Sequence, residues 1–121
     1  MKGILLSLMI LLIGSPQAWA DGCESATTRS STQSCTLAQS DTEVNDAYMH
    51  LVEVLGKQFK LDQIKALYQA QDAWRLYRDK SCQYLDADFS HAEATQNDCL
   101  IRLNDERIKQ LMQYTTQALV H

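Results

Sequence analysis

Apolar side chains recur along most of this chain at intervals of three, four and seven, the spacing of one face of an α-helix, and nowhere alternate as they would in a strand. Val44, Tyr48, Leu51, Val52, Leu55 and Phe59 form the first stripe. Ser40 followed by Glu43 is a capping box just ahead of it, so the confident part of helix 1 is predicted to start near Asp41, with residues 22–40 a Ser/Thr-rich, weakly periodic lead-in. Gly56 marks a predicted end. Asp62 restarts a second helix whose face carries Ile64, Leu67, Tyr68, Gln71, Trp74, Arg78, Cys82 and Leu85. The pattern breaks between Asp86 and Asp98, and Ile101, Ile108, Leu111, Met112 and Leu119 carry a third stripe. The fold class predicted is all-α: an antiparallel helical hairpin with a third helix packed alongside.

The N-terminus reads differently. Lys2 is followed by the apolar run Ile4–Ile13, then by Gly14-Ser15-Pro16 and the small-x-small tripeptide Ala18-Trp19-Ala20, the layout of a cleavable signal peptide. The run is about half the roughly 20 residues that a membrane-spanning helix needs, and no later stretch is apolar enough to span. Residues 1–20 are therefore read as signal and 21–121 as one domain, with no stable membrane insertion after cleavage. Ala20-Asp21-Gly22 lacks the apolar-small-small sequence expected before a lipidated Cys23. Cleavage removes one lysine and no acid, taking the formal charge from −4 to −5. Such an acidic balance leaves no basic footprint for nucleic acid. Export, most plausibly to a bacterial periplasm, also gives the four cysteines, Cys23, Cys35, Cys82 and Cys99, an oxidising compartment in which to form two disulfides. Zinc is disfavoured, because there is no C-x-x-C pair and His50, His91 and His121 are not at ligand spacing.

The polar residues within the stripes say more about chemistry. At 100° per residue from Ile64, Arg78 falls at about 320°, between Leu67 at about 300° and Gln71 at about 340°. It sits in the middle of the face that should be buried. If the hairpin turns near residue 59 or 60, Asp41 and Asn45 lie level with Arg78. A buried guanidinium calls for a carboxylate, which its planar fork suits. The expectation is a structural Asp41–Arg78 pair completed by Asn45 and Gln71. A catalytic role would need a nucleophile or histidine beside it, and the sequence offers none; no cofactor or metal site emerges either.

The same levelling favours Cys35–Cys82 at the open end of the hairpin, with Cys23 folded back onto Cys99. If residues 27–40 continue helix 1, a Cys23–Cys35 bridge is excluded, since 12 residues of helix span about 18 Å and bridged Cα atoms lie within about 7 Å. If that segment is extended, the local pairs Cys23–Cys35 and Cys82–Cys99 return.

Ala70-Gln71, Trp74, Tyr77-Arg78-Asp79 and Cys82 read as AQ-x-x-W-x-x-YRD-x-x-C. Upstream, Asp41, Val44-Asn45 and Tyr48 form D-x-x-[LV]-N-x-x-Y; downstream, Cys99, Leu103-Asn104, Arg107 and Leu111 form C-x-x-x-L-[TN]-x-x-R-x-x-x-L. Over about Cys23 to Leu111 this set resembles the LprI-type lysozyme-inhibitor family of small exported bacterial domains. The resemblance implies inhibition of lysozyme by binding, and it brings no catalytic residue with it. The chain departs from the family between helices 2 and 3, where a Gly-Gly-Ser-like loop is common and this sequence runs Asp86-Ala87-Asp88-Phe89-Ser90-His91-Ala92-Glu93. Many lysozymes are basic, so Asp86, Asp88, Glu93 and Asp98, in a connector without Lys or Arg, are the candidate contact. The plainer reading is a solvated connector with a Ser90–Glu93 capping box. An accessory domain that binds an envelope or secretion component is the alternative function, and the oligomeric state is left open.

Overall fold

A computed structural model describes Cys23, residues 29–88 and residues 92–121, with side chains for all of these except 29–31, 33, 86–88 and 92–95. Residues 1–20, expected from the sequence to be a signal peptide, lie outside the described residues. Three long helices account for almost everything described: α1 Arg29–Lys57, α2 Leu61–Asp88 and α3 Ala92–Val120. Consecutive helices run antiparallel, so α1 and α3 are parallel, and it is this non-consecutive pair that packs most extensively.

The helices are longer than their apolar stripes. α1 begins well before the Ser40–Glu43 box, which is thus internal and caps nothing. In the helix that the Ser/Thr-rich lead-in forms, Thr36 Oγ1 donates one turn back to the Thr32 carbonyl at 2.8 Å, as just beyond it Thr42 Oγ1 does to the Ala38 carbonyl at 3.0 Å. Those side chains, which in isolation compete with helix, here satisfy themselves on it. The expected break over 86–98 likewise narrows, since 86–88 continue α2 and 92–98 open α3.

The core comprises Val44, Leu51, Val54 and Leu55 of α1, Leu67 of α2, and Leu111 and Ala118 of α3, flanked by half-buried Tyr48, Val52, Ile64, Trp74 and Ile108. A second, smaller cluster joins Cys82, Cys99 and Leu103, with Leu85 and Leu100 against it. Some members of the predicted stripes face outward instead: Phe59, Tyr68, Met112 and Leu119 are all exposed. Tyr68 and Met112 lie at the edges of their stripes, Phe59 lies past the end of α1 in the turn, and Leu119 lies in the last turn of α3.

The disulfides are Cys23–Cys35 and Cys82–Cys99, with Cα separations of 5.4 and 5.7 Å. This corrects the favoured pairing of Cys35 with Cys82 and Cys23 with Cys99. Residues 29–40 are helical and the bridge forms nonetheless, so helix across this segment does not exclude it: the 12-residue span applies only if Cys23 itself is helical. α1 starts at Arg29, and Cys23, in a turn before it, folds back beside Cys35. Each bridge removes loop entropy worth on the order of 3 kcal/mol. Cys82 is fully buried and Cys99 nearly so, whereas Cys23 and Cys35 are only half-buried. Graded thiol reductant is therefore expected to open Cys23–Cys35 first, as read by alkylation and peptide mass; initial loss of Cys82–Cys99 would contradict the burial order.

The turn between α1 and α2 is a Schellman motif. The Lys60 amide donates to the Leu55 carbonyl at 3.0 Å and the Phe59 amide to the Gly56 carbonyl at 3.1 Å, the 6→1 and 5→2 pair that closes a helix C-terminus. The left-handed residue of such a motif is most often glycine. Here it is Phe59, with φ 56°, and Gly56 lies three residues earlier, within the helix.

Candidate functional site

The three helices meet in polar contact at one level. Arg78 on α2 extends Nη1 to Asp41 Oδ1 on α1 at 3.0 Å, and to Asn104 Oδ1 on α3 at 3.0 Å. Its Nε and Nη2 both reach Asp79 Oδ1, at 2.9 and 2.8 Å. Asn104 is wholly buried; its Nδ2 donates to Ser40 Oγ at 3.0 Å and to Asp41 Oδ1 at 2.9 Å. Both amide protons and the carbonyl oxygen of Asn104 are thus engaged, as a buried amide requires.

Asp41 and Arg78 are brought together, but the pair is less enclosed than its position on the helical wheel implies. The Asp41 side chain is 49% exposed, against 16% for Arg78, because α1 and α2 pack loosely beside it. Neither expected auxiliary completes the pair. Asn45 is exposed and has no hydrogen bond to it among the described residues, and Gln71 serves a different arginine. The completing groups are Asn104 and Ser40. A signal for Asn104 is present in the sequence: at 100° per residue it lies about 20° from Leu111 on α3, and Arg107 about 40° to the other side.

Arg107 is the second guanidinium of the site. Its Nε donates to Gln71 Oε1 at 2.9 Å and its Nη1 to Gln110 Oε1. Burial pushes its pKa down from the ordinary arginine value, with Tyr114 acting weakly in the opposite sense. Trp74 lies between the two cations, its ring centroid 5.3 Å from Arg78 Cζ and 5.7 Å from Arg107 Cζ. Both distances suit cation–π attraction. For Arg107 that attraction offsets part of the cost of Nη2, a buried donor with no hydrogen-bond partner among the described residues; Gln71 Nε2 is a second such donor.

A recess of about 290 Å³ adjoins this network, lined by Asp41, Val44, Asn45, Trp74, Arg75 and Arg78. The donors of Arg78 are taken up by two aspartates and an amide, so the recess presents little uncompensated charge to a ligand. Among the described residues no group of three His, Cys, Asp or Glu is placed to hold a metal ion, and no helix is long and apolar enough to cross a membrane. Of the acidic connector, Asp98 is exposed; the side chains of Asp86, Asp88 and Glu93 lie outside the described part. A model of the family described as lysozyme inhibitor LprI matches residues 23–111, whereas no curated protein and no solved structure matches the chain.

Proposed function

Since the chain belongs to the lysozyme inhibitor LprI family, we propose that it is an exported, periplasmic protein that inhibits lysozyme by binding it and performs no bond chemistry of its own. Family membership over residues 23–111 is the observation that carries this reading. Two further features support it. The polar groups around Arg78 neutralise one another across the three helices, an arrangement suited to fixing helix register and poorly suited to activating a nucleophile. The two disulfides are compatible with an extracytoplasmic location. A formal charge of −4 adds long-range attraction toward basic lysozymes, which salt would screen.

The test is a cell-wall lysis assay with the oxidised, signal-free protein at graded salt. Inhibition that saturates near one inhibitor per enzyme and weakens as salt rises is expected. Undiminished lysis at excess inhibitor against several lysozyme classes would remove the reading, and recovery of a defined envelope partner other than a muramidase would replace it.

A further inference from the structure

Among the described residues Phe59 is the most exposed large apolar side chain, at 86%, and it stands in a backbone conformation that costs an aromatic residue strain. Glycine would close the same Schellman turn without that strain. The side chain contributes little packing in return, being almost wholly in solvent. A residue that is both strained and exposed in a well-formed turn points to selection for something other than stability.

The turn is also rigid. Besides its own backbone bonds, Gln58 Nε2 donates to the Ala118 carbonyl at 2.9 Å and ties the turn to the end of α3. Leu61 beside it is 70% exposed. Lys60 is half-buried, lines a recess with Leu55 and Leu67, and has no ion-pair partner among the described residues. Lys57 is exposed and paired with Glu53 at 3.0 Å. One end of an otherwise acidic protein therefore offers an exposed aromatic side chain on a hydrogen-bonded turn, next to a cation with no ion-pair partner among the described residues.

We propose that the Gln58–Phe59–Lys60 turn is the wedge that enters the lysozyme cleft, Phe59 occupying space meant for the sugar chain and Lys60 facing the carboxylates. This deepens the lysozyme reading above and rests on it. The partner chemistry follows from charge complementarity: a glycosidase cleft carries two carboxyl groups flanking the scissile bond. A cation delivered there on a rigid aromatic prop finds acids that the rest of this chain would repel. Because the turn is already held in shape, little ordering is needed on binding. The wedge lies at the opposite end of the bundle from the acidic connector, so the two candidate contacts are separable by mutation.

The experiment compares wild type, Phe59→Gly, Lys60→Glu and Asp105→Asn for melting temperature and for inhibition of the same lysozyme. Phe59→Gly is expected to melt higher than wild type yet inhibit at least ten-fold more weakly, opposite signs that a merely structural role cannot produce. Lys60→Glu should weaken inhibition at least ten-fold, most at low salt. Asp105→Asn, on the exposed side of α3 and outside both candidate contacts, should inhibit as wild type does. A chito-oligosaccharide filling the cleft should compete with wild type. If wild type inhibits and Phe59→Gly inhibits within two-fold of it, the wedge is overturned while the lysozyme reading stands. A Phe59→Gly protein that melts lower than wild type also overturns it. A wild-type protein that inhibits no lysozyme overturns the lysozyme reading, and the wedge with it.

Discussion

Replacing Leu111 by alanine is expected to lower the unfolding free energy by about 3–4 kcal/mol, the range for a leucine whose removal leaves a cavity that cannot collapse. Leu111 is fully buried, in a cluster that draws Val44, Leu51, Val54 and Leu55 from α1, Leu67 from α2 and Ala118 from α3. Relaxation at such a site would require moving two other helices at once. A domain of this size commonly has only about 5–15 kcal/mol of stability in all, so the loss should also appear as a fall in melting temperature of more than roughly 10 °C. Leu119 is the control. It belongs to the same predicted stripe but is 65% exposed, so Leu119→Ala should stay within about 0.5 kcal/mol of wild type. Urea unfolding of both variants checks the contrast; equal losses would mean that the face of α3 is misassigned.

Asn104→Ala is expected to cost about 2–3 kcal/mol, through its lost hydrogen bonds and the partners left short. Ser40, which accepts from Asn104 Nδ2 at 3.0 Å, is itself buried. Asp41, by contrast, is half-exposed and can recover water. Asp41→Asn should therefore cost less than about 1 kcal/mol, in line with ion pairs that solvent can reach. The order of effects is the sharper test: the neutral buried amide should matter more than the charged residue beside it. Pairing Asn104→Ala with Ser40→Ala should give less than the sum of the single losses, because both remove the same bond. Additive losses, or an Asp41 variant worse than the Asn104 variant, would place the centre of the network elsewhere.

Helical periodicity carried far in this chain because a three-helix fold has few alternatives once the stripes are read. Wheel position and hairpin levelling together brought Asp41 to Arg78, two residues 37 apart in sequence. The same reasoning stopped at the second helix. Asn104 and Arg107 lie on the buried arc of α3; the parallel packing of α1 with α3 makes Asn104 a neighbour of Ser40, and the antiparallel packing of α2 with α3 brings Arg107 to Gln71. A hairpin-first view does not supply that packing. The disulfides illustrate a different limit. Helix over 27–40 does not exclude a Cys23–Cys35 bridge as expected, because the few residues before Arg29 suffice to turn Cys23 back, and helix starts in Ser/Thr-rich sequence depend on contacts made after folding. Phe59 was read as the last member of an apolar stripe. Its exposure follows from the turn that inverts the backbone at that residue, which periodicity alone does not register.

The claim that this protein acts by surface complementarity is tested most directly by isothermal titration of an active lysozyme with the oxidised chain, followed by recovery of both proteins. The account predicts saturable one-to-one binding, loss of wall turnover in step with occupancy, and both chains recovered intact. Absence of binding heat across lysozyme classes, or release of wall fragments by this protein alone, would contradict it.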